Sequence, residues 1–178
     1  MTSSSRILRQ TSEGVKYIVP FGNLVPEFER VVAEAEPDWF LMENVRDAPS
    51  PAVAGYRVSA DLIDNNHLGN DQGRVRRFSF GSRSGAWFHV VRSADCPVRR
   101  VAVTGGNPSN NTKHPEQQYT LAQMCELQGL PADYLDDAPF TAHGKRKAIG
   151  NGVPLPMGRA VAKAVKRAMG YELAEATA

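Results

Sequence analysis

The sequence lacks long apolar runs and is poor in cysteine and histidine, and each shortage makes one class of protein less compatible with it. No stretch of its 178 residues approaches the ~20 apolar residues that a membrane-spanning helix needs. Residues 1–6 include no apolar signal core, so we expect a cytoplasmic protein that does not bind membranes. The two cysteines, Cys96 and Cys125, are far apart, which predicts neither a disulfide framework nor a zinc site. The four histidines also lack ligand spacing, and we expect no metal.

The small net charge of +2 hides an uneven distribution along the chain. Between Pro26 and Asp64, nine carboxyl groups face three arginines, whereas between Arg74 and Arg100 seven arginines face one aspartate. Guanidinium groups suit phosphates and the edges of guanine bases. The arginine-rich segment therefore favours either a nucleic-acid contact or a solvated basic face.

Hydrophobic periodicity predicts an α/β layout in the first half of the chain. Apolar residues at helical spacing predict a helix over 23–36, which Pro37 ends. A near-continuous apolar run over 38–45 is typical of a buried parallel strand with site residues at its carboxyl end. Two further strands are predicted over 56–62 and 74–82.

The second half is predicted to be helical after a small irregular lobe. Turn-forming residues dominate 83–118, with a short strand expected over 98–103. Thr120 and Gln123 form a capping box that opens a helix to about Gln128. A tight turn at 150–154 leads into a final helix that ends near Met169. The predicted divisions are an arm (1–22), catalytic-domain residues (23–82), the lobe (83–118), a returning segment (119–170) and a tail (171–178).

Glu43 follows the apolar strand, in the sequence Glu43-Asn44-Val45. A carboxyl group at the top of a buried strand lies in a poorly solvated cleft and is suited to proton donation. The alternative is a strand-end glutamate that caps a neighbouring helix.

Gln72, Arg74, Arg76 and Phe78 alternate along a predicted strand and are expected to share one face. Two guanidinium groups in one row can hold a phosphate or the keto oxygen of a base. The alternative is a charged edge strand that resists aggregation.

Gly150-Asn151-Gly152-Val153-Pro154 combines glycines with the start of a helix. Glycine lets the backbone approach a ligand closely. The alternative is an ordinary turn before a helix.

Taken in order, these segments resemble the DNA cytosine-5 methyltransferase family. The sixth motif of that family is Glu-Asn-Val, its eighth is Gln-x-Arg-x-Arg, and its tenth is Gly-Asn-x-Val-Pro. A Leu-Gln-Gly-Phe-Pro type segment of its ninth motif is matched by residues 127–131. The resemblance covers roughly residues 24–169.

The resemblance implies a partial Rossmann-like, S-adenosylmethionine-dependent methyltransferase sheet with a small inserted recognition lobe. It implies methyl transfer to carbon 5 of a cytosine that is flipped out of double-stranded DNA. Glu43 would then bond ring nitrogen 3, Arg76 would hold the keto oxygen, and Arg74 would support the site or a phosphate. Residues that would line the methyl-donor pocket are Asn151, Gly152 and Val153.

Two family motifs are missing from the sequence. It contains neither the Phe-x-Gly-x-Gly loop of the first motif nor the Pro-Cys nucleophile, because Cys96 precedes Pro97 instead of following a proline. Asp71 stands where the family has a proline before the eighth motif. Three hypotheses follow: an enzyme completed by a second chain that carries the cysteine, an inactive DNA-binding remnant, and a fragment that folds poorly.

Overall fold

The computed structural model describes residues 23–105 and 119–171, together with the backbone of residues 7–11 and 14–18. The chain divides into two compact units: the first comprises Met1–Leu62 and Arg76–Phe88, and the second Ile63–Val75 and His89–Ala178. In the described part, no helix is both long and apolar enough to cross a membrane. The elements are β1 (Ile7–Thr11), β2 (Gly14–Ile18), α1 (Val25–Ala35), β3 (Trp39–Asn44), β4 (Arg57–Asp64), β5 (Val75–Ser82), α2 (Leu121–Leu127), α3 (Ala142–Asn151) and α4 (Leu155–Ala168).

Helix α1 of the first unit confirms the helix predicted over 23–36. The side chain of Asn23 accepts a hydrogen bond from the amide of Val25, and Pro26 occupies the first turn, where its missing N–H costs nothing. Glu36 adopts the left-handed conformation at the carboxyl end, and Pro37 follows. Local chemistry therefore sets both ends of this helix.

The three-stranded sheet has the order β3-β5-β4, and β3 runs antiparallel to β5. The prediction of a parallel strand was therefore wrong. An apolar run indicates that both faces of a strand are covered, but it carries no information on direction. Here Phe40 packs edge-on against Phe28 of α1, while Trp39 on the opposite face stacks with Phe80.

The core of the first unit combines Val32, Phe40 and Val53. Gly81 of β5 lies directly opposite Phe40, and a Cβ atom at that position would overlap the phenyl ring. The glycine therefore leaves the space that lets the ring pack across the sheet. Within the arm predicted over residues 1–22, the described strands β1 and β2 pair antiparallel.

The second unit is mainly helical. Helices α2 and α4 confirm the predictions, and the Thr120–Gln123 capping box has both of its hydrogen bonds. The strand expected over 98–103 is absent; only one bridge joins Arg100 to Gln72. Helix α3 was not predicted, because Ile149 is its one large apolar side chain. Buried core residues of this unit are Val103, Met124, Cys125, Leu127, Leu135 and Ile149.

The mixed α/β layout with a small sheet is confirmed. The division into catalytic segments, recognition lobe and tail stays a prediction. Parts of the lobe (106–118) and of the tail (172–178) lie outside the described residues.

Candidate functional site

Glu43 and Arg76 lie together on the sheet of the first unit. Nε of Arg76 is 2.9 Å from Oε1 of Glu43. The Arg76 side chain is 21% exposed and the Glu43 side chain 36% exposed. The two groups are thus partly shielded from water but still reachable by a ligand.

The strand register brings this pair together. Glu43 of β3 lies opposite Phe78 of β5, so Arg76, two residues before Phe78, is its diagonal neighbour on the same face. Side chains at that diagonal separation touch only when at least one is long, as both are here. The antiparallel pairing that the sequence did not reveal therefore places the two predicted residues in contact.

The loop after β3 is fastened to β5 beside this pair. Nε of Arg77 donates to the carbonyl of Arg46 at 3.2 Å, and the hydroxyls of Ser79 and Ser50 are 3.2 Å apart. The side chain of Asn44 accepts from the amide of Val45 at 2.8 Å. These bonds fix the chain just beyond Glu43 and limit the movement of its carboxylate.

Gln72, in the second unit, has a structural role. Its side chain is fully buried, donates to the carbonyl of Leu127 at 2.6 Å and accepts from the amide of Val103 at 3.0 Å. A second donor contact reaches Oε1 of Gln128 at 3.3 Å. One amide thereby joins three separate segments of this unit.

Arg74 is also buried within the second unit, at 3% exposure. Its guanidinium donates to the carbonyl of Val103 at 2.7 Å and to the carbonyl of Gly150 at 3.0 Å. These surroundings are those of a positioning residue that holds the end of α3. The assignment of Arg74 to a functional site stays a prediction.

Asn151, Gly152 and Val153 follow directly from the residue that Arg74 holds. Asn151 is the last residue of α3, whereas the sequence predicted a tight turn over 150–154. Asn151 and Val153 are exposed, and Gly152 is partly buried. Their role toward a methyl donor stays a prediction.

Gln128 was missed as a supporting residue by the sequence reasoning. It is 2% exposed and donates through Nε2 to the carbonyls of Ile149 and Gly152, which flank the Gly150–Asn151 step. Its own carbonyl accepts from the amide of Leu155 at 2.8 Å, at the start of α4. The only signal in the sequence was its position beside Gly129, within the segment that resembles the ninth motif.

The surroundings of Cys125 are not those of an activated nucleophile. Burial raises the pKa of the Cys125 thiol, and the nearby carboxylates of Asp136 and Asp133 raise that pKa further. Cys96 is exposed on the surface. Among the residues described, no group of three or more His, Cys, Asp or Glu side chains could hold a metal ion.

The family model for C-5 cytosine-specific DNA methylase matches residues 19–101, a range that contains Glu43, Arg74 and Arg76. No curated protein sequence matches the chain. A solved structure of the Dnmt2 methyltransferase of S. pombe matches with a TM-score of 0.58 at 14% identity, covering 96% of this chain and 78% of that one. At this identity the match shows the fold alone, which is a partial Rossmann-like methyltransferase fold.

Proposed function

We propose, from the confirmed resemblance of this chain to the cytosine-5 DNA methyltransferase family, that it forms the base-binding part of such an enzyme. The reaction would transfer a methyl group to carbon 5 of a cytosine flipped out of double-stranded DNA. The observation that carries the proposal is the contact between Glu43 and Arg76 at 2.9 Å. A second chain would supply the nucleophilic cysteine.

The pair suits the edge of a cytosine. That base presents a keto oxygen, a ring nitrogen acceptor and an amino donor in a row. The guanidinium of Arg76 can donate to the keto oxygen. The carboxyl group of Glu43, when protonated, can donate to ring nitrogen 3 and withdraw electrons from carbon 6, where a thiolate attacks.

S-adenosylmethionine supplies an electrophilic methyl group when it is bound. The residues of this chain that we assign to it are Asn151, Gly152 and Val153. The fit rests on their exposure and on the fixed backbone around them, since Arg74 and Gln128 hold the carbonyls of Ile149, Gly150 and Gly152. They supply part of a binding site, which a second chain with the glycine-rich loop would complete.

Methyl transfer tests the proposal. Labelled S-adenosylmethionine and duplex DNA would be mixed with this chain and a second chain that carries the glycine-rich loop and the Pro-Cys motif. We expect Glu43→Gln to lower the rate of transfer by about 10²–10⁴-fold, because an isosteric amide cannot give up a proton in the same way.

Glu34→Gln is the matched control, since it also removes one exposed carboxylate that is paired with an arginine. We expect it to leave the rate unchanged. Equal rates for Glu43→Gln and the unmodified chain would exclude Glu43 from the chemistry.

A second candidate is a DNA-binding chain without catalytic activity. The burial of Cys125 and the seven arginines between Arg74 and Arg100 favour it. Affinity for duplex DNA that falls steeply with salt, together with no methyl transfer in any mixture, would support this candidate over the first.

A further inference from the structure

The second unit contains a groove of about 560 Å³ whose polar lining is strongly basic. Arg159, Lys163 and Arg167 come from α4, and Arg92 and Ser93 come from the loop after Val90. The lining includes no acidic residue. We propose that this basic groove binds the sugar-phosphate backbone of a nucleic acid, through residues that the Glu43–Arg76 pair does not use.

The three cations of α4 form one row. Residues four apart lie on the same face of a helix, about 6 Å further along its axis at each step. Arg159, Lys163 and Arg167 therefore span about 12 Å. Like charges at this spacing repel one another, and a bound anion would offset that repulsion.

The opposite face of α4 explains why the row is displayed outward. Met157, Val161, Ala164 and Val165 are buried, whereas Arg159, Lys163 and Arg167 are exposed. Packing of the apolar face fixes the rotation of the helix. The cations cannot turn inward without exposing that face.

The loop that forms the other wall is held in place. The amide of Ser93 donates to the carbonyl of His67 at 2.8 Å, and a guanidinium nitrogen of Arg167 is 3.3 Å from the carbonyl of His89. The Arg92 guanidinium donates to the carbonyl of Val90 at 3.3 Å. Both walls are thus part of the folded unit, so that the cations are positioned before any ligand arrives.

The charge pattern fits a row of phosphates. Along one strand of duplex DNA a phosphate recurs every ~3.4 Å of the axis, so a 12 Å row faces about three to four of them. Arginine binds phosphate with two parallel donors, and three of the four cations in the groove are arginines. The choice of nucleic acid over another anion rests on the proposed function.

The test is the affinity of the full chain for a fluorescent DNA duplex, measured against salt without methyl donor. Lys163→Gln should weaken binding and reduce the slope of log affinity against log salt by about 0.9, one phosphate contact. Arg159→Gln combined with Lys163→Gln should reduce that slope by about twice as much. Lys166→Gln, on the same helix but outside the groove, is the control and should change both quantities less.

Equal effects of Lys163→Gln and Lys166→Gln, or no effect of either, would overturn the proposal. So would a variant that keeps its duplex affinity but loses binding to polyglutamate, because the groove would then take an acidic chain. Failure of the base-binding proposal is separable: Glu43→Gln should keep the duplex affinity whether or not methyl transfer occurs. The substituted groove side chains are exposed, and an unchanged denaturation midpoint checks that each variant is folded.

Discussion

Arg74 and Arg76 are two residues apart in one segment, and their surroundings differ completely. Arg74 is 3% exposed and gives its hydrogen bonds to main-chain carbonyls of the second unit. The Arg76 side chain is 21% exposed and meets a carboxylate of the first unit. A buried arginine that donates to main-chain carbonyls stabilises the fold, whereas an accessible ion pair can exchange partners with a ligand.

The energetic expectation differs in the same way. When a buried carbonyl loses its hydrogen-bond donor, it stays out of contact with water and has no replacement bond. The folded protein is destabilised as a result. Breaking a partly exposed ion pair lowers the stability of the protein only a little, since water solvates both partners. We therefore expect substitution of Arg74 to affect mainly folding and substitution of Arg76 to affect mainly ligand binding.

The largest expected effect is on stability, from Arg74→Met. Loss of its bonds to Val103 and Gly150 should lower the free energy of unfolding by about 2–6 kcal/mol, because each buried carbonyl left without a donor costs about 1–3 kcal/mol. Arg76→Met should lower it by less than about 1 kcal/mol. Urea denaturation of both variants measures the difference, and similar losses for the two would contradict a structural role for Arg74 that Arg76 does not share.

A smaller effect is expected at Gly150, beside the carbonyl that Arg74 holds. A Cβ atom there would overlap the backbone of Thr104 and Gly105, which cannot move aside as a flexible side chain would. Gly150→Ala should therefore destabilise by about 1–3 kcal/mol.

Gly158 of α4 is the matched control, because a Cβ atom there meets nothing within 4 Å. Gly158→Ala should stabilise the protein by up to about 1 kcal/mol, since alanine favours a helix over glycine. Thermal or urea denaturation measures whether each variant is more or less stable than the unmodified protein. A shift of the same sign in the two variants contradicts the crowding at Gly150.

The smallest perturbation is chemical labelling, which compares a buried with an exposed thiol. Cys96 should react quickly with an aromatic disulfide at pH 8. Cys125 should react only on unfolding, because its burial and its raised pKa keep it a neutral thiol at that pH. Cys96→Ser should remove the fast phase. Two fast thiols in the folded chain would contradict the burial of Cys125.

Features set by neighbouring residues could be predicted from the sequence. Pro26 in the first turn and Pro37 just after the carboxyl end bounded α1, and the Thr120–Gln123 box began α2. The apolar stripe of α4 also gave the helix its buried face. The resemblance of the Glu43 and Arg76 segments to one family was visible as well, and the match over residues 19–101 confirmed it.

Other features could not be predicted, because their causes are distant in the chain. Helix α3 carries little apolar signal of its own, and its buried Ile149 belongs to a core shared with α2. The part played by Gln128 depends on carbonyls 21 and 24 residues further along. Local patterns contain no record of such partners.

By itself the sequence determined the residue types at the candidate site, the helices with strong end signals and the family that the segments resemble. Only the tertiary structure decided that β3 runs antiparallel to β5, which brings Arg76 to Glu43. It also decided that Arg74 donates hydrogen bonds to carbonyls 29 and 76 residues away. The physical reason is that a side chain's role is set by the partners that satisfy it, and those partners are assembled only when the chain folds.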